Sequence, residues 1–555
     1  MSVLPEIKIN RFDGGIVNDP RNPNENICRV VTNFDVTTNP RKMTPHYDSE
    51  SGDSAASTSQ KQNFCVALRT GSTYQLYSLG VKSGTGLAEV LYKGLTTGAT
   101  TDLADNLWTN TNNNQASSGA ASFGCFVYYK KTGYIYGGSA GRYIWRYDPS
   151  GSGAWVDTHA DLTSFTTIAQ GLVHSKDDIL YIPYDNKIAS NNNTNWTVAA
   201  LTLPSNYKIT SIYEDGNYLA IVCAPIKPGV ENSKLFLWDR DSTVTTLADS
   251  IDLGAEDATI GEKVDGVSFI ISKSGGDSTR FKDRIVFRYI SGNVAVKFLE
   301  LQGTTSSLLP AYKQRINSRL FFQMSISLAG TVREGVWSIG RSSISSPFSL
   351  VHERTPNNNT ALSSGTLTGF FYVGDYLFQS YTSSSAFALS KTNDSASYTA
   401  TSIYESKIFD NGDNSITKKI LGTTVTTEPL PSGGQVVLKY KKDNESSFTT
   451  IFTNATVTAG SFIPGTEYTI ISVGTTDFTL IGASASTVGV TFVATGAGSG
   501  TGVACQIISH SAINIESDGI TLPEYKEIQF RIESTGGAEI TGFSFKSESV
   551  NRRIY

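Results

Sequence analysis

A unit of two short hydrophobic runs joined by a tight turn recurs along this chain, and it limits the possible folds more than any other feature. The runs are rich in aromatic and β-branched residues, as at 125–129 and 134–136. Such runs are typical of β-strands, and the Asp215-Gly216 pair between two of them is a strong hairpin signal. The unit recurs about seven times, at spacings of roughly 40 to 60 residues, which is the period of β-propeller blades.

A single blade cannot cover both of its apolar faces, so blades must stack side by side and close into a ring. The sequence therefore predicts a β-propeller of about seven blades over residues 61–402. The same pattern also describes an irregular β-sandwich with long loops, and that alternative remains open. Charged residues make up only 17% of the chain, while Ser, Thr, Asn and Gly are abundant, which favours strands and turns over helices. We expect an all-β protein.

Further domains are expected, because the chain has 555 residues and single hydrophobic cores stop growing well below that length. The first segment, 1–60, begins with a strand-like stretch at 6–9 and ends in a polar run at 49–59. Four prolines between these stretches exclude a long helix: Pro20, Pro23, Pro40 and Pro45. The sequence predicts an extended N-terminal arm over residues 1–60.

The region after the repeats has longer strand patterns. Residues 527–533 alternate between apolar and polar side chains, as a half-buried strand does, and 540–545 follow after a Gly-Gly turn. We predict a C-terminal β-sandwich, of jelly-roll or immunoglobulin type, formed by residues 403–458 plus 505–555. Between these two parts, residues 459–504 carry almost no charge and end in a Gly/Ser/Thr-rich tail. They are predicted to form a small inserted β module.

The charge pattern gives no general reason to expect binding to nucleic acid, since the net charge is −5 and no basic stripe is present. The basic cluster at 439–442 is interpreted as a solvated face. Five scattered cysteines are typical of reduced thiols in a protein made in a cytosol. No long apolar run occurs, so neither a membrane span nor an export signal is expected.

Catalytic and metal-site patterns are also missing from the sequence. The five histidines are far apart in sequence: His46, His159, His174, His352 and His510. Propellers can carry glycosidases that use paired carboxylates, and the candidates here are Asp177, Asp178, Glu214, Asp215, Asp239 and Asp283. Each lies at a turn or strand end, where acidic residues are common for structural reasons. We expect no catalytic, cofactor-binding or metal-binding residues, no cofactor, and no enzyme.

Three tryptophans follow polar loops: Trp108, Trp155 and Trp196. Aromatic rings can stack on the apolar faces of sugars, so these residues are candidates for carbohydrate binding. The alternative interpretation is that they belong to the core at the blade edges, and we favour it.

Segments near both ends resemble a known family. Residues 11–20 (RFDGGIVNDP), 28–36 (CRVVTNFDV) and 39–45 (NPRKMTP) resemble the start of the tail nozzle (tail tubular) proteins of short-tailed bacteriophages. The inserted Gly465-to-Ile470 stretch, with its glycine-rich tail, is similar to a module found in many phage virion proteins. The 430–434 hairpin and the closing strands also resemble phage tail sequences.

The resemblance implies a virion structural protein of the phage tail, made in the cytoplasm of the host bacterium. It would be a nozzle-like ring subunit of the conduit for genome ejection, with the 1–60 arm as the seam between subunits. Its partners would be other copies of itself in a homo-oligomeric ring and neighbouring tail proteins: the adaptor, the portal side and the fibres. Phage DNA would pass transiently without specific binding. The alternative is a carbohydrate-binding tail protein at the host surface or a hub for fibre attachment.

Overall fold

The computed structural model describes residues 4–16, 27–47, 49–53, 60–70, 73–82, 88–96, 109–110, 115–116, 124–139, 141–150, 155–227, 230–241, 247, 249–274, 284–303, 306–328, 331–342, 346–355, 366–373, 376–383, 386–392, 398, 401–431, 433–506 and 523–550. The chain forms two compact units. The first contains residues 1–48, 339–354 and 393–555, and the second contains 49–338 and 355–392. The predicted fold class is confirmed: the protein is all-β, with a β-propeller and a C-terminal β-sandwich that carries a small inserted β module.

The propeller consists of seven antiparallel sheets in the described part of the second unit. Strands are numbered in chain order. Blade 1 consists of β6 (Gln60–Thr70), β7 (Thr73–Lys82), β8 (Ala88–Thr96), β9 (Thr109–Asn110) and β10 (Gln115–Ala116). Blade 2 consists of β11 (Gly124–Tyr129), β12 (Tyr134–Ser139), β13 (Gly141–Tyr147) and β14 (Trp155–Phe165), and blade 3 consists of β15 (Leu172–His174), β16 (Ile179–Tyr184), β17 (Lys187–Asn191) and β18 (Trp196–Thr202).

The other four sheets follow in chain order. Blade 4 consists of β19 (Tyr207–Asp215), β20 (Tyr218–Pro225), β21 (Ser233–Trp238) and β22 (Asp249–Gly254), and blade 5 consists of β23 (Asp257–Val264), β24 (Val267–Lys273), β25 (Arg284–Ser291) and β26 (Val294–Gln302). Blade 6 consists of β27 (Ser306–Ile316), β28 (Arg319–Leu328) and β29 (Thr331–Gly340). Blade 7 consists of β31 (Thr366–Val373), β32 (Tyr376–Ser383), β33 (Ala386–Thr392) and β5 (Ser49–Asp53).

The ring of blades is closed by both ends of this unit. The first strand of each blade lies against the first strand of the next, and β31 of blade 7 lies against β6 of blade 1. The outermost strand of blade 7, β5, comes from the residues just before blade 1 and pairs antiparallel with β33. Backbone hydrogen bonds between the two ends therefore hold the ring shut.

The predicted hairpin at Asp215-Gly216 is present. Asp215 pairs with Tyr218 across a two-residue loop, and Gly216 has a φ of 65°. A two-residue hairpin turn of this kind needs a positive φ at its first loop position, which glycine adopts without strain.

Apolar clusters between neighbouring blades stabilise the propeller. One cluster joins blades 2 and 3 and includes Tyr129 and Leu180, and another joins blades 3 and 4 and includes Tyr181 and Trp238. Because each four-stranded sheet has residues facing both neighbours, burial between blades covers both of its faces.

Polar side chains also bridge the blades. Gln170 accepts a hydrogen bond from the backbone N–H of Phe126 at 3.1 Å and donates one to its carbonyl at 2.6 Å. Gln314 makes the same pair of bonds with Tyr372, at 2.7 and 3.0 Å. An amide side chain offers a donor and an acceptor side by side, so it continues the backbone pattern from one blade to the next.

Lys313 on β27 links three blades. Its Nζ donates to the carbonyls of Ile212 in blade 4 and Gly261 in blade 5, at 3.0 and 2.6 Å. It also lies 3.0 Å from the carboxylate of Glu262. Only about a tenth of the Lys313 side chain is exposed, so these contacts compensate a largely buried charge.

The sandwich unit contains two main sheets. One sheet orders its strands as β1 (Ile7–Ile9), β43 (Ile540–Ser549), β35 (Lys418–Thr427) and β41 (Glu524–Tyr525). The other orders its strands as β30 (Ser349–Arg354), β2 (Cys28–Thr32), β34 (Ser402–Phe409), β42 (Ile528–Thr535), β36 (Gln435–Lys442) and β37 (Thr449–Thr458). Phe530 on β42 packs against Phe543 and Phe545 on β43, with ring centroids 4.9 and 4.8 Å apart, so aromatic contacts join the two sheets.

The segment predicted as an arm contributes strands to both units. β1 pairs with β43, and β2 pairs with β34 in the sandwich unit. A short hairpin of β3 (Phe34–Asp35) and β4 (Thr44–Pro45) follows, and β5 belongs to the propeller. Residues 339–354, within the range predicted as propeller, group with the sandwich unit, where β30 pairs with β2 in parallel.

The inserted module has a core of its own. It consists of β38 (Glu467–Ser472), a 3₁₀ turn (Phe478–Ile481), β39 (Thr491–Val493) and β40 (Val503–Gln506). The rings of Phe462, Tyr468, Phe478 and Phe492 pack together in its interior. Thr458 at the end of β37 pairs with Val503 at the start of β40, so the chain enters and leaves the module at neighbouring positions.

A deletion tests whether the module is independent. Removal of residues 459–504 with a short Gly-Ser connection should leave the thermal unfolding of the rest of the protein unchanged within a few degrees, since insertions with adjacent ends can be removed without disturbing the host fold. Differential scanning calorimetry of the deletion variant and the full chain measures this. Loss of the sandwich transition would show that the segment belongs to the sandwich core.

Candidate functional site

The first segment of the resemblance contains a buried turn, which we call the N-terminal joint and define as residues 11–16. Phe12 is fully buried and meets the ring of Tyr404 edge-on, with centroids 5.5 Å apart. The N–H of Ile16 donates to the carbonyl of Leu350 at 2.8 Å, and the carbonyl of Gly15 accepts from the N–H of Cys28 at 3.0 Å. The joint thus connects to three strands of the sandwich unit: β2, β30 and β34.

A buried carboxylate holds the joint together. Asp13 is 4% exposed, and its Oδ2 accepts hydrogen bonds from Arg11 Nη2 at 2.8 Å and from the hydroxyl of Ser342 at 2.9 Å. A buried carboxylate is stable only when its oxygens are paired in this way. Asp13 therefore acts in folding.

The third part of the resemblance, residues 39–45, lies in the same unit. The carbonyl of Pro40 accepts a hydrogen bond from the N–H of Phe12 at 2.8 Å. Lys42 forms an ion pair with Glu539 at 2.8 Å, and Met43 pairs with Ile540 as an isolated bridge. The described parts of these three segments therefore lie in one unit and contact each other; residues 17–20 lie outside the described residues.

Gly15 is the residue of the joint that tolerates a side chain least. Its φ is 76°, and a Cβ placed on it would lie 2.7 Å from Ser349 Cβ and 2.9 Å from the backbone nitrogen of Leu350. Both the backbone conformation and the space exclude a larger residue.

Two glycine substitutions separate these effects. Gly15→Ala should lower the free energy of unfolding by about 2–5 kcal/mol, because strain at positive φ and overpacking both act. Gly412→Ala is the matched control: φ is 81° with nothing within 4 Å of the added Cβ, so it should cost only about 1 kcal/mol. Urea unfolding of both variants measures the difference, and equal losses would contradict the tight packing described here.

The candidate carboxylates take part in local hydrogen bonds. Asp177 accepts from Arg240 Nε at 2.6 Å and from the hydroxyl of Tyr181 at 3.0 Å. Glu214 accepts from the N–H and hydroxyl of Ser175 at 2.6 and 2.8 Å.

The remaining acidic candidates have similar surroundings. Asp215 pairs with Lys263, Asp178 lies 3.9 Å from Lys131, and Asp239 accepts from the N–H of Asp241 at 3.0 Å. Asp283 lies outside the described residues. The described carboxylates thus have partners typical of turns and blade edges. Asp177 and Glu214 contact neighbouring residues of one network, through Arg240 and Ser175.

His174 belongs to a network that the sequence did not reveal. The ring is fully buried, and its Nδ1 accepts a hydrogen bond from the N–H of Lys176 at 3.2 Å. Nε2 lies 3.2 Å from the carbonyl of Tyr218 and 3.0 Å from Arg240 Nη1. Arg240 lies beside it and bridges to Asp177. Arg240 has a φ of 70°, and no sequence signal placed it next to blade 3.

The other described histidines lie in separate surroundings. His352 Nδ1 is 3.1 Å from the hydroxyl of Thr32, and His46 Nε2 is 3.6 Å from Glu353. His510 lies outside the described residues. Within the part of the chain that the structure describes, no three His, Cys, Asp or Glu side chains gather in a way that could hold a metal ion.

Trp196 packs at the outer edge of the cluster between blades 2 and 3. Its ring meets Tyr136 and His159 edge-on, with centroids 5.9 and 6.0 Å apart. This is the position of a residue at the edge of a blade core. Trp108 and the side chain of Trp155 lie outside what the structure describes.

His159 in this cluster gives the propeller a pH dependence. Burial, with a smaller contribution from Arg146, lowers the pKa of His159 from 6.5 to about 4. The unfolded chain therefore binds a proton below pH 6.5 that the folded protein does not bind until about pH 4, so the stability contributed by the neutral ring falls as the pH drops through this window.

A substitution isolates this effect. Between pH 7 and pH 5, the wild type should lose about 1–2 kcal/mol more unfolding free energy than His159→Phe, after allowance for the partial exposure of the ring. Urea unfolding at the two pH values measures it. An equal loss in both proteins would show that His159 titrates normally.

The basic cluster at 439–442 was interpreted as a solvated face, and the structure places part of it in a half-buried position. About a quarter of the Lys439 side chain is exposed, and it pairs with Glu533 at 2.7 Å. The alternating patterns at 435–441 and 527–533 contain the signal for this pairing, because they place the odd-numbered residues of both strands on one face.

No protein-family model matches the chain, and no curated protein matches it in sequence. Three solved structures show low similarity. The alignment with YjhT has a TM-score of 0.35 and 11% identity, and it covers 53% of this chain and 97% of the YjhT chain. The alignment with the WD40 β-propeller domain of Doa1 has a TM-score of 0.36 and 10% identity, and it covers 63% of this chain and 96% of the Doa1 domain.

The third structure is an exo-β-1,3-galactanase from Phanerochaete chrysosporium with galactose. It has a TM-score of 0.30 and 12% identity and covers 90% of this chain and 100% of that chain. At such identities no residue role or activity is transferred to this chain. Among the described residues, no helix has the length and apolar character needed to cross a membrane.

Proposed function

We propose that this chain is a non-enzymatic structural subunit of a phage tail, a nozzle-like ring subunit that forms part of the conduit for DNA ejection. The observation that carries the proposal is the N-terminal joint. The described parts of the segments that resemble tail nozzle proteins contact each other in one unit, in which Phe12, Asp13 and Gly15 are fixed by packing and hydrogen bonds.

A resemblance carried by residues that fix a fold supports a shared architecture. A structural subunit contributes its architecture and its surfaces, so residues of this kind are the ones it would share with related subunits. The described acidic candidates support the same proposal, because they bind neighbouring side chains and backbone groups, as Asp177 does with Arg240.

The net negative charge of the chain is compatible with a conduit through which DNA passes without being held. Each phosphate that a protein neutralises adds affinity through counterion release, so a basic lumen would slow DNA as it leaves. The chain has a net charge of −5. In this proposal copies of the chain form a closed ring through heterologous contacts, in the virion tail between the portal-side or adaptor proteins and the fibres. The carbohydrate-binding alternative relies on Trp108, Trp155 and Trp196. The structure describes the ring of Trp196 alone among these, and its edge-on packing gives the alternative no specific support.

Two measurements test the proposal. Mass spectrometry of purified particles of the encoding phage should find the chain in multiple copies, in a fixed ratio to other tail proteins. The isolated full chain should not retain a DNA duplex at a physiological salt concentration of roughly 0.15 M in a filter-binding assay. Absence from the particles would contradict the structural role, and tight DNA retention would contradict the conduit.

A further inference from the structure

Six charged side chains of the second sandwich sheet form what we call the charged face: Arg29 on β2, Glu405 on β34, Lys439 and Lys441 on β36, and Arg531 and Glu533 on β42. In β36, Val436 and Leu438 are fully buried and point to the core. Side chains alternate along a strand, so Lys439 and Lys441 point to the opposite face.

Two of the four cations on this face are neutralised within it. Arg531 Nη2 lies 2.8 Å from Glu405 Oε1, and Lys439 Nζ lies 2.7 Å from Glu533 Oε2. For Arg29 and Lys441, no carboxylate among the described residues lies within ion-pair distance. Among the described residues, the charged face therefore has four cations against two carboxylates.

An aromatic ring lies among these cations. Lys441 Nζ and Arg531 Cζ are each 4.8 Å from the centroid of the half-buried Phe448 ring. The contacts are favourable cation–π interactions, but they bring like charges together. Burial lowers the pKa of Lys441, and the nearby Arg29 and Arg531 lower it further, while Glu405 opposes the shift. An added anion would relieve this repulsion.

We propose that the charged face is a docking surface for a protein segment bearing aspartate or glutamate, whose carboxylates bind Arg29 and Lys441. A protein segment fits better than nucleic acid, because Glu405 and Glu533 lie among the cations and would repel a row of phosphates. Arginine side chains around a partly buried aromatic ring are also typical of protein interfaces. The inference depends on the sandwich unit and not on the proposed place in a tail.

The sheet geometry defines the spacing of the carboxylates. β2 and β36 are separated by β34 and β42, so their backbones lie three strand spacings apart, about 14 Å. The long side chains of Arg29 and Lys441 bring the two charges closer than this, and Arg29 lowers the pKa of Lys441. An extended peptide rises about 3.3 Å per residue, which places side chains at positions i and i+4 about 13 Å apart on the same side. Two acidic residues at that separation lie over β2 and β36, where their flexible side chains reach Arg29 and Lys441.

Binding of a synthetic peptide tests the proposal. The probe is a Ser/Thr peptide with glutamates at i and i+4, and its comparison peptide has glutamines there. Fluorescence anisotropy with the full chain at about 50 mM salt should detect the glutamate peptide only, because charge pairs at the surface are strongest at low ionic strength. The double variant Arg29→Gln, Lys441→Gln should weaken binding at least about tenfold.

The matched control is Arg41→Gln with Lys526→Gln, which removes the same two residue types from exposed positions of the same unit. It should leave the affinity within about twofold, since exposed charges away from an interface contribute little. Lys441→Arg, which keeps the charge, should also retain binding, and this variant separates a charge effect from a folding defect.

Three outcomes would overturn the proposal: no binding of the glutamate peptide by the wild type, an equal loss in the control variant, or binding of duplex DNA that depends on Arg29 and Lys441. The last outcome would identify the face as a phosphate site. Failure of peptide binding leaves the detection of the chain in phage particles unaffected, so the two proposals can fail separately.

Discussion

The structure depends above all on the burial of both faces of every propeller sheet. A four-stranded sheet alone would leave both of its apolar faces in water, and burial of a large aromatic or aliphatic side chain is worth about 1.5–3 kcal/mol. Tyr129 and Trp238, both fully buried, lie in clusters that each span two blades. No blade is stable without its neighbours, so the ring must close, and the strand Ser49–Asp53 closes it by pairing with Ala386–Thr392.

Ring closure also explains why polar side chains bridge the blades. Backbone ladders end at the edges of each sheet, so the backbone groups that face a neighbouring blade need other partners. Gln170 and Gln314 satisfy such groups with paired amide bonds, and Lys313 satisfies two carbonyls on two different blades. Gln170 and Gln314 are half-buried and Lys313 is largely buried, and hydrogen bonds compensate the loss of water around these polar groups.

Local features of the fold could be predicted from the sequence, and distant pairings could not. The hairpin at Asp215-Gly216 and the module at 459–504 are encoded by neighbouring residues, through turn chemistry and a change in composition. The parallel pairing of Thr32 with His352 joins residues 320 positions apart, and no local pattern specifies it. The Arg240 network and the charged face were missed for the same reason, because each depends on which strands become neighbours.

The start of the chain completes both units, and this has a consequence for folding. Ile7–Ile9 pairs with Ile540–Ser549 in the sandwich unit, and Ser49–Asp53 pairs with Ala386–Thr392 in the propeller. Pairings between residues so far apart in sequence form slowly, because the entropy of closing the loop is lost before the contacts form. The hairpins within each blade can form as soon as they are synthesised, whereas the propeller closes only after residue 392 and the sandwich only after residue 549. Until Ala386–Thr392 pairs with Ser49–Asp53, its outer edge has no partner, and an unpaired edge of this kind is prone to aggregation.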